Sequence, residues 1–231
     1  MTVGEWLAEW LTSKADLRPT THRSYESHIR LYLTPHLGQL RLGRLRVAHI
    51  QAMFTAITQH NEAITDNNTA RHTLEQAARQ ASKDGGRETA RILRARLSTL
   101  PPYVRTVGAA GRQSVRATLR AALSDAQAQQ LVQINVAKLV KLAPAKRPKA
   151  QVWTPERILA WQQTGEKPSP VMVWNATHTA TFLTRARRHH QLGALLHLVA
   201  FTGLRRGEAC GLRWIDLSLE EATMQIRHQI V

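Results

Sequence analysis

Apolar residues at the start of the chain recur with helical spacing. Val3, Trp6, Leu7, Trp10 and Leu11 fall at i, i+3, i+4, i+7 and i+8, one stripe of an amphipathic helix. Pro19 interrupts the chain, and Thr20 or Thr21 is placed to cap a second helix that turns Tyr25, Ile29, Tyr32 and Leu33 inward. Pro35 and Gly38 should end it. Val47, Ile50, Met53, Phe54 and Ile57 then mark a third helix. Trp6, Trp10 and Trp214 read as core residues rather than base-stacking groups.

Residues 60–111 have the character of an insertion. A polar run, Asn61 to Asn68, leads into an Ala- and Gln-rich helix over about Thr69 to Ser82, stopped by Gly85-Gly86. A further helix is predicted from Glu88 to Leu100, with Leu93, Leu97 and Leu100 on one side, before Pro101-Pro102. So few bulky residues imply a projecting helical arm, not a second core. A long helix is expected from Arg112 to about Ile134, with Val115, Leu119, Leu123 and Leu131 as its apolar positions.

The stretch Ala143-Pro144-Ala145-Lys146-Arg147-Pro148-Lys149 combines proline with positive charge and reads as an extended basic linker. Beyond it, helices are predicted at Thr154 to Gln163, Thr177 to His189, Gln191 to Phe201 and Arg206 to Leu212. Two helix-start phrases, Val152-Trp153-Thr154-Pro155 and Val173-Trp174-Asn175-Ala176, are alike, but two copies do not make an array. The period then changes. Thr223, Gln225, Arg227 and Gln229 alternate with Met224, Ile226, His228 and Ile230, the pattern of a strand. A lone last strand cannot make a sheet, so the architecture is expected to be cut short.

Charge sharpens this picture. Thirty-two Lys and Arg against sixteen Asp and Glu give a net charge of +16 and a pI near 11.3, which favours a polyanionic partner. Arginine predominates, which suits bidentate contacts to phosphate. A single cysteine, Cys210, excludes an internal disulfide and is expected to be a small buried residue. No secretory signal is visible at Met1, and the longest apolar run, Leu192 to Phe201, is too short for a bilayer; a cytoplasmic protein is expected. The histidines lack metal-ligand spacing and no nucleotide-binding glycine pattern occurs, so no cofactor is expected.

Three regions resemble the tyrosine recombinases, the phage-integrase family of site-specific DNA recombinases. Pro19 to Gly38, with Tyr25, His28-Ile29 and Leu33-Thr34-Pro35-His36-Leu37-Gly38, is similar to the family's amino-terminal core-binding domain. Val115 to Val140 resembles that domain's last helix and its run into the linker. Thr202-Gly203-Leu204-Arg205-Arg206-Gly207-Glu208, followed by Leu212-Arg213-Trp214-Ile215-Asp216, resembles the first arginine box. The resemblance implies a mainly α fold: a helical SAM-like core-binding domain with a helical insertion, then the truncated start of a mixed α+β catalytic domain. The expected boundaries are 1–142 with the insertion at about 60–111, a basic linker at 143–150, and 151–231 for the catalytic part.

In the family a tyrosine hydroxyl attacks a DNA phosphate, giving a 3′-phosphotyrosyl link without metal or nucleotide. Arg205 corresponds to an arginine that binds the charge gathering on the phosphate oxygens. Glu208, three residues on, can reach back to orient it, and Gly203 and Gly207 would let the backbone bend and approach DNA. The resemblance also calls for a hairpin lysine, a His/Lys-x-x-Arg box and a nucleophilic tyrosine. No histidine here is followed three positions later by arginine, and the only tyrosines are Tyr25, Tyr32 and Tyr103. The chain as it stands is therefore expected to bind DNA and not to cleave it.

Double-stranded DNA at a recombination site is the expected partner, contacted by Arg18, Thr20, Thr21, Arg23 and Ser24 at the second helix start, by Lys146, Arg147 and Lys149 in the linker, and by Arg206. Self-assembly on DNA belongs to the complete protein, so a monomer is expected. An integrase portion contributing Arg205 is the leading reading. An inactive DNA-binding protein at attachment sites is the alternative, and a basic protein that merely coats nucleic acid is the third.

Overall fold

The computed structural model describes residues 1–145 and 147–230, with the side chain of His189 left aside. The chain divides into two compact units, Met1–Lys146 and Arg147–Val231.

In the first unit, α1 (Val3–Thr12) begins at Thr2, whose hydroxyl accepts from the Glu5 amide while the Glu5 carboxylate accepts from the Thr2 amide. Its apolar stripe is buried as the spacing requires: Val3, Trp6, Leu7 and Trp10 are each at most 2% exposed. The Trp6 indole donates to the Ala122 carbonyl at 3.1 Å, and the Trp10 indole to Asp125 at 2.6 Å. These two bonds fasten α1 to α6 (Ala109–Ala128), which presents Val115, Leu119, Ala122, Leu123 and Ala126 to the same core.

The second helix differs in detail from its expected form. α2 (Pro19–His28) has Arg18 at its cap with no side-chain cap bond and Pro19 in the first turn; neither Thr20 nor Thr21 caps it. Proline there loses only an amide that has no helical partner. Pro35 does not end the helix. A π-helical turn, Ile29–Leu33, carries it into α3 (Thr34–Leu37), where Pro35 occupies another first turn. The extra residue in the turn brings Ile29 and Leu33 into the core, with Tyr25 and Tyr32 packed against it. His28 lies against Thr118, Nδ1 to Oγ1 2.8 Å, and burial holds its pKa below the ordinary value.

A single helix, α4 (Val47–Lys83), replaces the two helices expected over this stretch. Asn61 to Asn68 stays helical because the amides of Asn61, Asn67 and Asn68 bond the returning chain at Val107, Pro101 and Val104. α4 enters the core of the unit only at its start, through Ile50, Met53, Phe54 and Ile57. Gly85, with φ +81°, then turns the chain into α5 (Arg87–Thr99), which packs antiparallel on α4 with little more than Ala78 and Ala90 fully enclosed between them. Arg71 donates to the carbonyls of Leu97, Leu100 and Pro101, satisfying the open end of α5.

α6 stops at Ala128, six residues short of the expected end. Gln130 takes φ +60° and the Leu131 amide bonds back to the Ala126 carbonyl, closing the helix and leaving Leu131 41% exposed.

The second unit starts with the two similar phrases, and the structure makes them equivalent. β1 (Gln151–Val152) and β2 (Met172–Val173) pair in parallel, with Val152 opposite Val173. Thr154 caps α7 (Pro155–Thr164) and Asn175 caps α8 (Ala176–His189). Trp153 meets Trp161 at 5.5 Å, and Trp174 meets Phe182 at 5.0 Å, each partner eight positions on. Thus one strand–cap–helix unit occurs twice. α9 (Gly193–Thr202), α10 (Arg206–Gly211) and a hairpin of β3 (Leu217–Ser218) with β4 (Thr223–Met224) follow. The alternating pattern forms strand only at Thr223–Met224, and that strand has a partner, contrary to a lone strand running to the chain end. Residue 231 lies outside the described residues.

Candidate nucleic-acid interface

α9 ends at Gly203, whose φ of +69° is the left-handed conformation that glycine adopts without penalty, and whose amide bonds the Val199 carbonyl. The chain then runs extended through Arg205, the residue before α10. Glu208 reaches back to it: one carboxylate oxygen accepts from the Arg205 amide at 2.9 Å, the other from its guanidinium Nη1 at 2.9 Å. These bonds hold the Glu208 carboxyl below the usual carboxylate range, the backbone bond contributing most. Glu208 is half-sheltered, at 19% exposure, whereas Arg205 is 84% exposed. A buttressed arginine whose remaining donors face solvent is suited to an anionic ligand. Arg206 is exposed in the first turn of α10.

Gly207 and Gly211 are needed where a later segment of the chain packs against α10. A Cβ on Gly207 would lie 2.5 Å from the Ile230 carbonyl oxygen, and one on Gly211 2.7 Å from that of His228. The 228–230 segment crosses α10 there, with the Ile230 amide donating to the Gly207 carbonyl at 2.9 Å. The expectation that Gly207 clears a path for DNA is replaced by this packing role.

One cluster was not anticipated. Asp216, 5% exposed, accepts twice from Arg213, at 3.0 and 3.2 Å, and pairs with Arg227 at 3.7 Å. The Arg213 bonds draw its carboxyl below the ordinary value. Its carbonyl accepts from the Gln225 amide, so one aspartate ties the turn after α10 to the β3–β4 hairpin. The Arg-x-x-Asp spacing was its only sequence signal. Two expected core residues are not core: Cys210 is exposed and Trp214 is 82% exposed. Cys210 lies near the end of the six-residue α10, and Trp214 lies beyond it, in the short 3-10 turn Trp214–Asp216.

In the first unit, Arg18, Thr20, Arg23 and Ser24 are exposed around the start of α2, and Thr21 is partly so. The Ser24 hydroxyl donates to the Thr20 carbonyl. No acidic residue lies in that first turn, so the positive end of the helix dipole and two arginines share one surface. Arg147 and Lys149 are exposed in chain without regular structure; Lys146 lies outside the described residues. Of the tyrosines, Tyr25 and Tyr32 pack against the core, and Tyr103 is 69% exposed in the segment after α5.

Residues 2–56, spanning α1 to the start of α4, match the phage integrase N-terminal SAM-like domain. This segment is therefore similar to the amino-terminal domain of phage integrases. The chain also resembles solved structures over nearly its whole length. A lambda integrase dimer bound to a COC' core site is matched with TM-score 0.52 and 16% identity over 94% of this chain and 43% of that one. The Tn1549 transposon integrase in complex with circular intermediate DNA gives TM-score 0.52 and 16% identity over 99% and 55%. A lambda integrase tetramer bound to a Holliday junction gives 0.52 and 15% over 95% and 44%. At such identity the likeness is one of fold, and that fold is the expected mainly helical one. This chain spans about half the length of the integrases it resembles. No curated protein sequence matches it. Among the described residues, no helix is long and apolar enough to cross a membrane.

Proposed function

We propose that the chain is the DNA-binding portion of a tyrosine-type site-specific recombinase, in which Arg205 binds the scissile phosphate. The arrangement that carries this reading is the Arg205–Glu208 pair: an exposed guanidinium at a glycine-made turn, fixed at 2.9 Å by a sheltered carboxylate. Fixed guanidinium donors need little reorganisation as charge grows on the phosphate oxygens. In the complete reaction a tyrosine oxygen bonds to phosphorus, the 5′-oxygen leaves, and the DNA stays joined through a 3′-phosphotyrosyl link. Glu208 acts through Arg205 and is a positioning residue.

On this reading residues 1–142 are the core-binding domain with 60–111 inserted as its arm, 143–150 the basic linker, and 151–231 part of the catalytic domain. Arg18, Thr20, Thr21, Arg23, Ser24, Lys146, Arg147, Lys149 and Arg206 contact the DNA backbone. The solved integrases of this fold that carry DNA support a duplex partner. The placement of the three tyrosines favours a second reading for this polypeptide alone: an inactive protein that occupies attachment sites. Incubation with a nicked suicide duplex separates the two. DNA binding without covalent adduct is expected of these 231 residues, and a phosphotyrosyl adduct on Tyr25, Tyr32 or Tyr103 would overturn the assignment.

A further inference from the structure

The arm formed by α4 and α5 is larger than the packing of the first unit requires. α4 has 37 residues, yet its last position in the core cluster is Ile57. The helix continues for about 39 Å beyond that point at 1.5 Å per residue, roughly one turn of duplex DNA. Its pairing with α5 rests on small contacts, chiefly Ala78 and Ala90, which ask for no particular charge on the outer faces.

Charge is nonetheless concentrated there. In the outer part, residues 77–98, Arg79, Lys83, Arg87, Arg91, Arg94 and Arg96 are all exposed, against Asp84 and Glu88. Arg87, Arg91 and Arg94 stand at i, i+4 and i+7 of α5, so they form one stripe, while Ala90, Leu93 and Leu97 turn toward α4. Arg94 gives one donor to the Ser82 hydroxyl at 2.8 Å, which steadies it and leaves its other donors free to bind. Arg91 is held by Glu88 through two bonds, at 3.0 and 2.7 Å, but both side chains are largely exposed, at 76% and 68%, so its remaining Nη1 donor still faces solvent. A solvent-clad helical hairpin carrying arginines on one face fits a polyanion, not an apolar partner.

We propose that the α4–α5 arm is a second DNA-contacting element, holding phosphates of duplex DNA through Arg87, Arg91 and Arg94, apart from the contacts at α2 and the linker. This rests on the DNA-binding role proposed above. It makes the protein a bivalent binder, in which the arm raises affinity by engaging DNA already held by the rest of the protein. The contact is to backbone and carries no sequence information of its own.

Two measurements on the 231-residue chain test it. The first compares binding of a long random-sequence duplex by the wild-type chain and by the triple variant R87Q/R91Q/R94Q over a range of salt. Removing three phosphate contacts should make the log–log salt slope shallower by about 2 to 3, with circular dichroism and thermal melting unchanged. The second places a photoactivatable group on Ser98→Cys, one turn beyond Arg94 on the same stripe, in a Cys210→Ala background. Irradiation should join the arm to DNA. Normal DNA binding by the triple variant, or an adduct only to a second copy of the chain, would overturn the arm proposal and leave the Arg205 reading intact. Failure of the wild-type chain to bind duplex DNA at all would overturn both.

Discussion

Trp10, Lys14 and Asp125 join the two ends of the first unit, and replacing Asp125 by alanine tests how the amino-terminal helix is held. The indole Nε1 of Trp10, 2% exposed, donates to Asp125 at 2.6 Å, and Lys14 pairs with the same oxygen at 2.9 Å. A hydrogen bond to a charged acceptor contributes about 1.5–3 kcal/mol. The Lys14 pair adds only a few tenths, since its side chains are 35% and 39% exposed. Asp125→Ala should therefore destabilise the unit by about 2 kcal/mol, lowering its melting temperature by roughly 5–8 °C. Urea unfolding followed by far-ultraviolet circular dichroism measures it, with Trp10→Phe and the double variant completing a cycle whose coupling is about 1 kcal/mol or more. The pH dependence has a defined sign. Lys14 first, then Trp10, holds the Asp125 carboxyl below its ordinary value of 3.8. The charge-dependent part of the stabilisation is thus complete above that value and fades as pH falls through the lower folded one, so the gap between wild type and Asp125→Ala should narrow in acid. A loss under about 0.3 kcal/mol at neutral pH would refute the reasoning.

Other substitutions probe the second unit and the linker. Gly207→Ala places a methyl 2.5 Å from the Ile230 carbonyl, so the 228–230 segment should move off α10, read as faster hydrogen exchange at the Ile230 amide. Glu208→Gln removes the charged partner of Arg205 while leaving DNA affinity within about twofold; in a complete recombinase it should slow strand cleavage, and Glu208→Asp should restore part of it. Arg147→Ala should weaken binding to all sequences alike and make the salt slope shallower by about 0.9.

Much of the helical architecture was legible because burial enforces period. The Val3–Leu11 stripe became α1, and Thr154 and the Val173-Trp174-Asn175 phrase marked helix starts that the structure keeps. The misreadings have local causes. The polar run Asn61–Asn68 suggested a break in α4, since sequence does not show that its amides bond a chain segment more than thirty residues away. Leu131 extended the α6 pattern past its end, but the left-handed Gln130 stops the helix first. Pro35 looked like a terminator and instead sits where a first turn tolerates it. At the arginine box, the i,i+3 spacing gave the Arg205–Glu208 pair directly. The outward turn of Trp214 and the part Asp216 plays between Arg213 and Arg227 depend on chain returning from residues 225–230, which no local pattern reveals.

Selection from a random duplex pool, with the wild-type chain and with Arg205→Ala under excess non-specific competitor, tests the recombinase reading most directly. Both chains should enrich the same sequence with nearly equal affinity, because the proposed role of Arg205 is at the scissile phosphate and not in holding the site. Enrichment of no sequence at all would reduce the protein to a basic coat for nucleic acid. Loss of binding in a folded Arg205→Ala chain would show that this arginine serves affinity, contradicting its catalytic assignment.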